Sequence, residues 1–223
     1  MSISSTSNAG KAAIFDLDGT LLDSMGVWHT MDMKFFAERG IECPQNFSKT
    51  VASMQFHDIA LYVRERFHLS DTPEELMAIW NRMAADEYAH RVKPKPHALA
   101  YIRHLHETGA RLAIATTLPP TLREPAMKHA GLVPYIDAVC STGDGICRGK
   151  EYPDIYLHAA RLLGVRPESC TVFEDILTAV RSAKSAGMQT WAMYDASSDK
   201  DWAAIQQTAD GTLKDFSDAP SIL

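Results

Sequence analysis

The feature that most constrains the fold is an interval. An apolar run at residues 11–15, "KAAIF", has the length and character of a buried strand, and no comparable run follows until "RLAIA" at 111–115. From there such runs recur at short spacing, as "DAVC" (137–140), "CTVF" (170–173) and "QTWAMY" (189–194). Helical patterns lie between the later ones. "PDIYLHAARLLG" opens on Pro153, sets Ile155, Ala159 and Leu162 at helical spacing and ends on Gly164. The stretch from Ile176 through Ala179, Val180 and Ala183 to Gly187 repeats that logic. Strands alternating with helices predict an α/β fold, a parallel sheet covered on both faces. A crossover between parallel strands needs roughly a dozen residues, so the interval from Phe15 to Leu112 must hold something more.

It reads as helices. "TPEELMAIWNRMAADEYAH" has Thr72 as N-cap, Pro73 at the first helical position and Glu75 three after the cap, then Leu76, Ile79, Trp80 and Met83 on one face. Residues 24–39 and 55–67 also have helical spacing, with Asp23 and Ser24 expected to begin the first of these helices by satisfying its free N–H groups. "PHALAYIRHLHETG", with Leu99, Ile102 and Leu105 aligned, leads back to the sheet. The expected organisation is a flexible tail at 1–10, a core made of 11–21 and 91–223, and an all-helical cap at 22–90. His104 and His106, two apart in a helix, face different ways and read as surface residues.

Composition narrows the function. The 223 residues are 46% hydrophobic and 22% charged, enough to bury a real core. A net charge of −6, from 22 basic and 28 acidic side chains, offers no basic stripe for nucleic acid. No stretch approaches the roughly 18 apolar residues of a membrane span, and "MSISSTSNAG" lacks an apolar leader core. Cys43, Cys140, Cys147 and Cys170 form no Cys-x-x-Cys pair and read as reduced thiols, which makes a cytoplasmic location the expectation. Nothing in the sequence speaks to oligomeric state.

Three strand ends carry groups able to do chemistry: Asp16 and Asp18 after the first, Thr116 and Thr117 after the second, Glu174 and Asp175 after "CTVF". Taken singly, each pair is more often a turn or a helix cap. Ligands of open parallel sheets bind beyond the carboxyl ends of the strands, so neighbouring strands would bring all three pairs to one crevice.

"DLDGT" (16–20) after an apolar strand resembles the first motif of the haloacid dehalogenase superfamily of phosphatases, phosphomutases and relatives. The other motifs follow in order: "LAIAT" ending in Thr116, "GKEYPDIY" with Lys150, and "VFEDI" with Glu174 and Asp175. The resemblance covers about residues 11–195 and implies a Rossmann-like core, with the helical insertion acting as a cap. It also implies roles. Asp16 would attack phosphorus and form an aspartyl-phosphate, while Asp18 would protonate the leaving oxygen and then take a proton from water. Lys150 would keep Asp16 ionised, and Gly19, Thr116, Thr117 and Lys150 would hold the phosphate. Asp16, the Asp18 carbonyl, Asp175 and Glu174 would offer the all-oxygen ligands that suit Mg²⁺.

Asp18 favours phosphate-ester chemistry, because dehalogenases and phosphonatases of the superfamily generally lack a second aspartate there. The β-phosphoglucomutase pattern has a histidine at the place of Trp28 and an arginine in a cap loop where "SMQFHD" (53–58) sets Phe56; both departures count against mutase action. The fourth motif also departs, with Ile176 and Ala179 in place of the usual Ser and Gly, which weakens Glu174 as a ligand relative to Asp175. The expected function is a Mg²⁺-dependent phosphatase acting on a small phosphorylated metabolite, such as a sugar phosphate, with Trp28, His29, Gln55, Phe56 and His57 setting specificity. A sugar phosphomutase and a non-catalytic phosphometabolite-binding module are the alternatives.

Overall fold

The computed structural model describes residues 7–51, 56–142 and 149–223. Strand β1 (Ala12–Phe15) lies inside a parallel sheet with β4 (Arg111–Thr116), β5 (Ala138–Ser141), β6 (Cys170–Glu174), β7 (Gln189–Met193) and β8 (Gly211–Leu213), in the order β5-β4-β1-β6-β7-β8. The chain fills one side of β1 first and then jumps back across it to β6. The strand order therefore reverses between β1 and β6, which is where such a sheet opens a crevice at its carboxyl edge. In register, Phe15 lies beside Ile114 on one neighbour and Phe173 on the other, so Asp16 and Glu174 emerge side by side.

Both faces are covered, as the continuous apolar strands require. Ala12 and Ile14 point into a cluster with Val172 of β6 and with Ile155, Ala159 and Ala179, supplied by helices α7 (Asp154–Leu163) and α8 (Leu177–Ser185). Ala13 and Phe15 point the other way, toward Tyr101 and Ile102 of helix α5 (Ala98–Glu107) and toward Phe173 and Phe216. Phe15 and Phe173 stack with ring centroids 4.7 Å apart.

The interval after β1 is helical. The chain leaves the core through a short strand, β2 (Leu22–Asp23), and runs through α1 (Met25–Ala37), α2 (Phe47–Val51), α3 (Phe56–Phe67) and α4 (Pro73–His90). It returns through β3 (Lys93–Pro94), which pairs antiparallel with β2. Helix α4 has its predicted capping box: the Glu75 N–H donates to Thr72 Oγ1 at 3.2 Å, and the Thr72 N–H donates to Glu75 Oε2 at 2.7 Å. An aromatic core holds the insertion together, with Phe35 against Trp80 at 5.3 Å and Phe36 against Phe67 at 4.7 Å. No described helix is long and apolar enough to cross a membrane.

Two features differ from expectation, and three elements lie where the sequence predicts none. Asn8 is fully buried, its amide donating to the Thr108 hydroxyl and the Ser221 carbonyl, so this residue of the expected tail is tied to the core, while Ser7, Ala9 and Gly10 are exposed and residues 1–6 lie outside the described residues. Asp23 pairs within β2, and Ser24 makes no capping hydrogen bond to α1; its hydroxyl is used elsewhere. Helix α6 (Pro120–His129) forms despite Pro119, Pro120 and Pro125, because Pro120 suits the first turn and Leu122, Ala126 and Met127 are buried. Strand β8 and helix α9 (Trp202–Thr208) are too short to leave a periodic signal.

Candidate active site

The carboxyl ends of β1 and β6 bring Asp16, Asp18, Glu174 and Asp175 together, and Lys150 reaches them from just before α7. All of these side chains are buried or nearly so, which is costly for charges unless they are paired. Lys150 is the partner: its Nζ contacts Asp16 Oδ1 and donates to Glu174 Oε1 at 2.5 Å. Burial pulls the Lys150 ammonium down, but the Asp16 and Glu174 carboxylates outweigh it, and its net shift is upward. The lysine therefore stays charged.

Glu174 is committed on both oxygens. Its Oε1 also accepts from the Tyr156 hydroxyl at 2.8 Å, and its Oε2 accepts the Asp175 N–H at 3.2 Å. Burial raises its pKa. Asp175 is different. Thr20 Oγ1 donates to its Oδ1 at 3.3 Å, while Oδ2 is buried with no hydrogen-bond partner among the described residues. Burial, together with Asp16 and Glu174, pushes the Asp175 pKa upward. One oxygen each from Asp16, Glu174 and Asp175 lies within 4.8 Å of the others. A crowd of buried carboxylates with one orphaned oxygen and only oxygen donors fits a hard divalent cation such as Mg²⁺.

Gly19 sits at φ +80°, and a Cβ there would come within 2.3 Å of Asp175 Oδ2. The Gly19 N–H donates to the Leu22 carbonyl at 3.0 Å, closing the turn after the motif. Its contribution is the absent side chain. Thr116, at the end of β4, is buried, and its Oγ1 accepts the Leu118 N–H at 3.1 Å. Among the described residues the hydroxyl itself donates to no acceptor. Thr117 is exposed on the next residue.

Asp18 faces the insertion. Its Oδ1 accepts from Ser24 Oγ at 2.5 Å and from the Tyr88 hydroxyl at 2.8 Å. Burial first, and the Asp16 charge second, push its carboxyl up to about 6. Sequence reasoning missed Tyr88. It continues the stripe Leu76, Trp80, Ala84 of α4, all buried, and so reads as packing; its hydroxyl gives no separate signal. Tyr156 was hidden in the same way in α7.

The specificity residues are less gathered. Trp28 and His29 are exposed on α1 and His57 on α3; Gln55 lies outside the described residues, as does the side chain of Phe56. Helix α1 does begin over the site, since Met25 Cγ lies 3.3 Å from where a Gly19 Cβ would stand.

The sheet and motif order have counterparts. Over 181 residues the chain is 30% identical to "Probable pseudouridine-5'-phosphatase" of Drosophila melanogaster, covering 79% of this chain and 78% of that one. It is also 30% identical over 179 residues to hexitol phosphatase A of Escherichia coli K12, covering 79% and 80%. In structure it is similar to CbbY from Rhodobacter sphaeroides in complex with phosphate, with a TM-score of 0.72 at 23% identity, covering 93% and 95%. The family model of haloacid dehalogenase-like hydrolases matches residues 11–187, a span that takes in β1, the whole helical insertion and β6. That span holds both acidic strand ends and the lysine between them, and the protein accordingly belongs to the haloacid dehalogenase-like hydrolases and is an enzyme.

Proposed function

We propose that this enzyme is a Mg²⁺-dependent phosphatase that removes phosphate from a small polyhydroxylated metabolite through an aspartyl-phosphate on Asp16. The observation that carries the reading is the contrast between two carboxylates two residues apart. Asp16 is paired with a buried ammonium, whereas Asp18 is held by two hydroxyls and has its pKa raised to about 6. Paired acids in unlike surroundings are how a site divides nucleophile from proton donor.

Asp16 attacks phosphorus as the ester P–O bond breaks, and Asp18 gives its proton to the leaving oxygen. Asp18 then takes a proton from water as that water attacks the aspartyl-phosphate, releasing inorganic phosphate and restoring the Asp16 carboxylate. Lys150 holds Asp16 in place and faces the charge of the transferred group, and the Thr116 hydroxyl and Thr117 hold phosphate oxygens. Asp16, Asp175 and the Asp18 carbonyl would hold the metal, with Glu174 behind them bracing Lys150. Bound there, Mg²⁺ would neutralise the crowded carboxylates and orient the phosphoryl group.

The helical insertion, residues 22–90, would act as the cap over residues 11–21 and 91–223, with Trp28, His29, Gln55, Phe56 and His57 reading the rest of the substrate. The names of the relatives refer to hexitol phosphates and to pseudouridine 5′-phosphate, both polyhydroxylated phosphate monoesters, and this class is the one we assign. Phosphate release from a panel of such monoesters, with and without Mg²⁺, tests the reading. Release that requires Mg²⁺ and disappears in Asp16→Asn is the expected result; full activity in Asp16→Asn would overturn the mechanism.

A further inference from the structure

The chain enters the helical insertion through β2 and leaves it through β3, and each passage delivers one hydroxyl to Asp18. Ser24 directly follows β2; Tyr88 stands in the last turn of α4, five residues before β3 begins. Both donate to the same oxygen, Oδ1, at 2.5 and 2.8 Å. Tyr88 is fully buried, and its phenol is a donor to the Asp18 carboxylate. With Oδ1 doubly engaged, Oδ2 is the oxygen left to carry a mobile proton.

We propose that Tyr88 is a positioning residue for proton transfer: its hydroxyl sets the rotation of the Asp18 carboxyl from the side of the insertion, so that protonation of the leaving oxygen depends on where α4 sits. The inference rests on the reading of Asp18 as the proton donor. As the Asp16 Oδ–P bond forms and the ester P–O bond breaks, the electron pair of the broken bond stays on the leaving oxygen, which takes the proton from Asp18 Oδ2. In the second half Oδ2 recovers a proton from the attacking water. Tyr88 exchanges no proton at any stage and stays on Oδ1.

A residue that acts only through the acid matters in proportion to how much the leaving group needs a proton. Phenyl phosphate and p-nitrophenyl phosphate separate the two cases, because nitrophenolate departs readily as the anion and phenolate does not. Tyr88→Phe removes one oxygen and keeps the ring that packs α4. We expect it to lower kcat/KM with phenyl phosphate about fivefold, the weight of one net hydrogen bond, and to change kcat/KM with p-nitrophenyl phosphate by less than about twofold, since kcat/KM reports only the steps up to the aspartyl-phosphate and not its hydrolysis, which both substrates share. Asp18→Asn should discriminate in the same direction and more strongly. The double variant Tyr88→Phe/Asp18→Asn should be no slower than Asp18→Asn alone, since nothing is then left to position.

An equal loss of kcat/KM on both substrates in Tyr88→Phe, or additive losses of kcat/KM in the double variant, would overturn the proposal and leave Tyr88 as packing. If Asp18→Asn itself lowers kcat/KM equally for both substrates, the proton-donor reading fails first, and the two failures are told apart. Ser24→Ala removes the other donor from Oδ1 and gives the same discrimination if Tyr88→Phe folds poorly.

Discussion

The ends of β1 and β6 and the helical insertion are built on opposite logics. At the strand ends, polar groups are buried, and most hold one another: Lys150 bridges Asp16 and Glu174, Tyr156 and the Asp175 N–H hold Glu174, and Thr20 holds Asp175. In the insertion the buried groups are mostly apolar, an aromatic cluster of Phe35, Phe36, Phe47, Phe67 and Trp80, and the candidate recognition residues Trp28, His29 and His57 stand on the outside of it. In the first arrangement most groups are another's partner, so removing one leaves a buried polar group unpaired, which is costly. The second lets the exposed positions vary while the aromatic core keeps the helices together.

The sharpest way to break this contrast is at Gly19, where the strand-end site has the least room. A Cβ there would stand 2.3 Å from Asp175 Oδ2, at a backbone φ of +80° that other residues rarely adopt. Gly19→Ala must displace either the turn or Asp175. Misplacement by about an ångström at a reacting centre costs on the order of 100-fold. We expect Gly19→Ala to lose about that much in kcat and to need more Mg²⁺ for half-maximal rate, measured by titrating the metal in a phosphate-release assay. Wild-type kinetics would mean that the site is looser than its packing implies.

A smaller effect is expected in the insertion. Trp28 is 38% exposed and lies one turn beyond Met25, the residue that sits over Gly19. Trp28→Ala should raise KM several-fold for the preferred metabolite with little change in kcat, the mark of lost uniform binding. Steady-state kinetics on the best substrate of the panel reads this directly. A fall in kcat with KM unchanged would place Trp28 among the groups that act on the reacting atoms and erase the division between the two regions.

This division also explains what the sequence disclosed. Asp16, Asp18, Lys150, Glu174 and Asp175 are legible because a strand end that must bury a carboxylate admits few residue types, and the order of the motifs along the chain restricts them further. The capping box at Thr72 is legible because it is local. Tyr88 and Tyr156 are not legible: each occupies a buried helical position where an aromatic ring is already explained by packing, and only the third dimension shows the hydroxyl meeting Asp18 or Glu174. Ser24 misleads for a related reason. A serine before a helix is a good N-cap by propensity, but the stronger acceptor nearby is a buried carboxylate six residues earlier, and the hydroxyl goes there.

The least effect, and the cleanest control, is expected at Thr72. Its side chain accepts the Glu75 N–H and its own N–H is satisfied by the Glu75 carboxylate, at the end of α4 farthest along the helix from Tyr88. Thr72→Ala should cost about 1 kcal/mol of stability, the usual weight of an N-cap, seen as a lower midpoint in thermal or urea unfolding. Turnover of both phenyl phosphate and p-nitrophenyl phosphate should stay at the wild-type rate, because fraying the first turn of an 18-residue helix leaves its last turn in place. If Thr72→Ala instead slowed phenyl phosphate selectively, the position of Tyr88 would depend on α4 as a whole. Proton delivery would then be coupled to the stability of the insertion as well as to one hydroxyl within it.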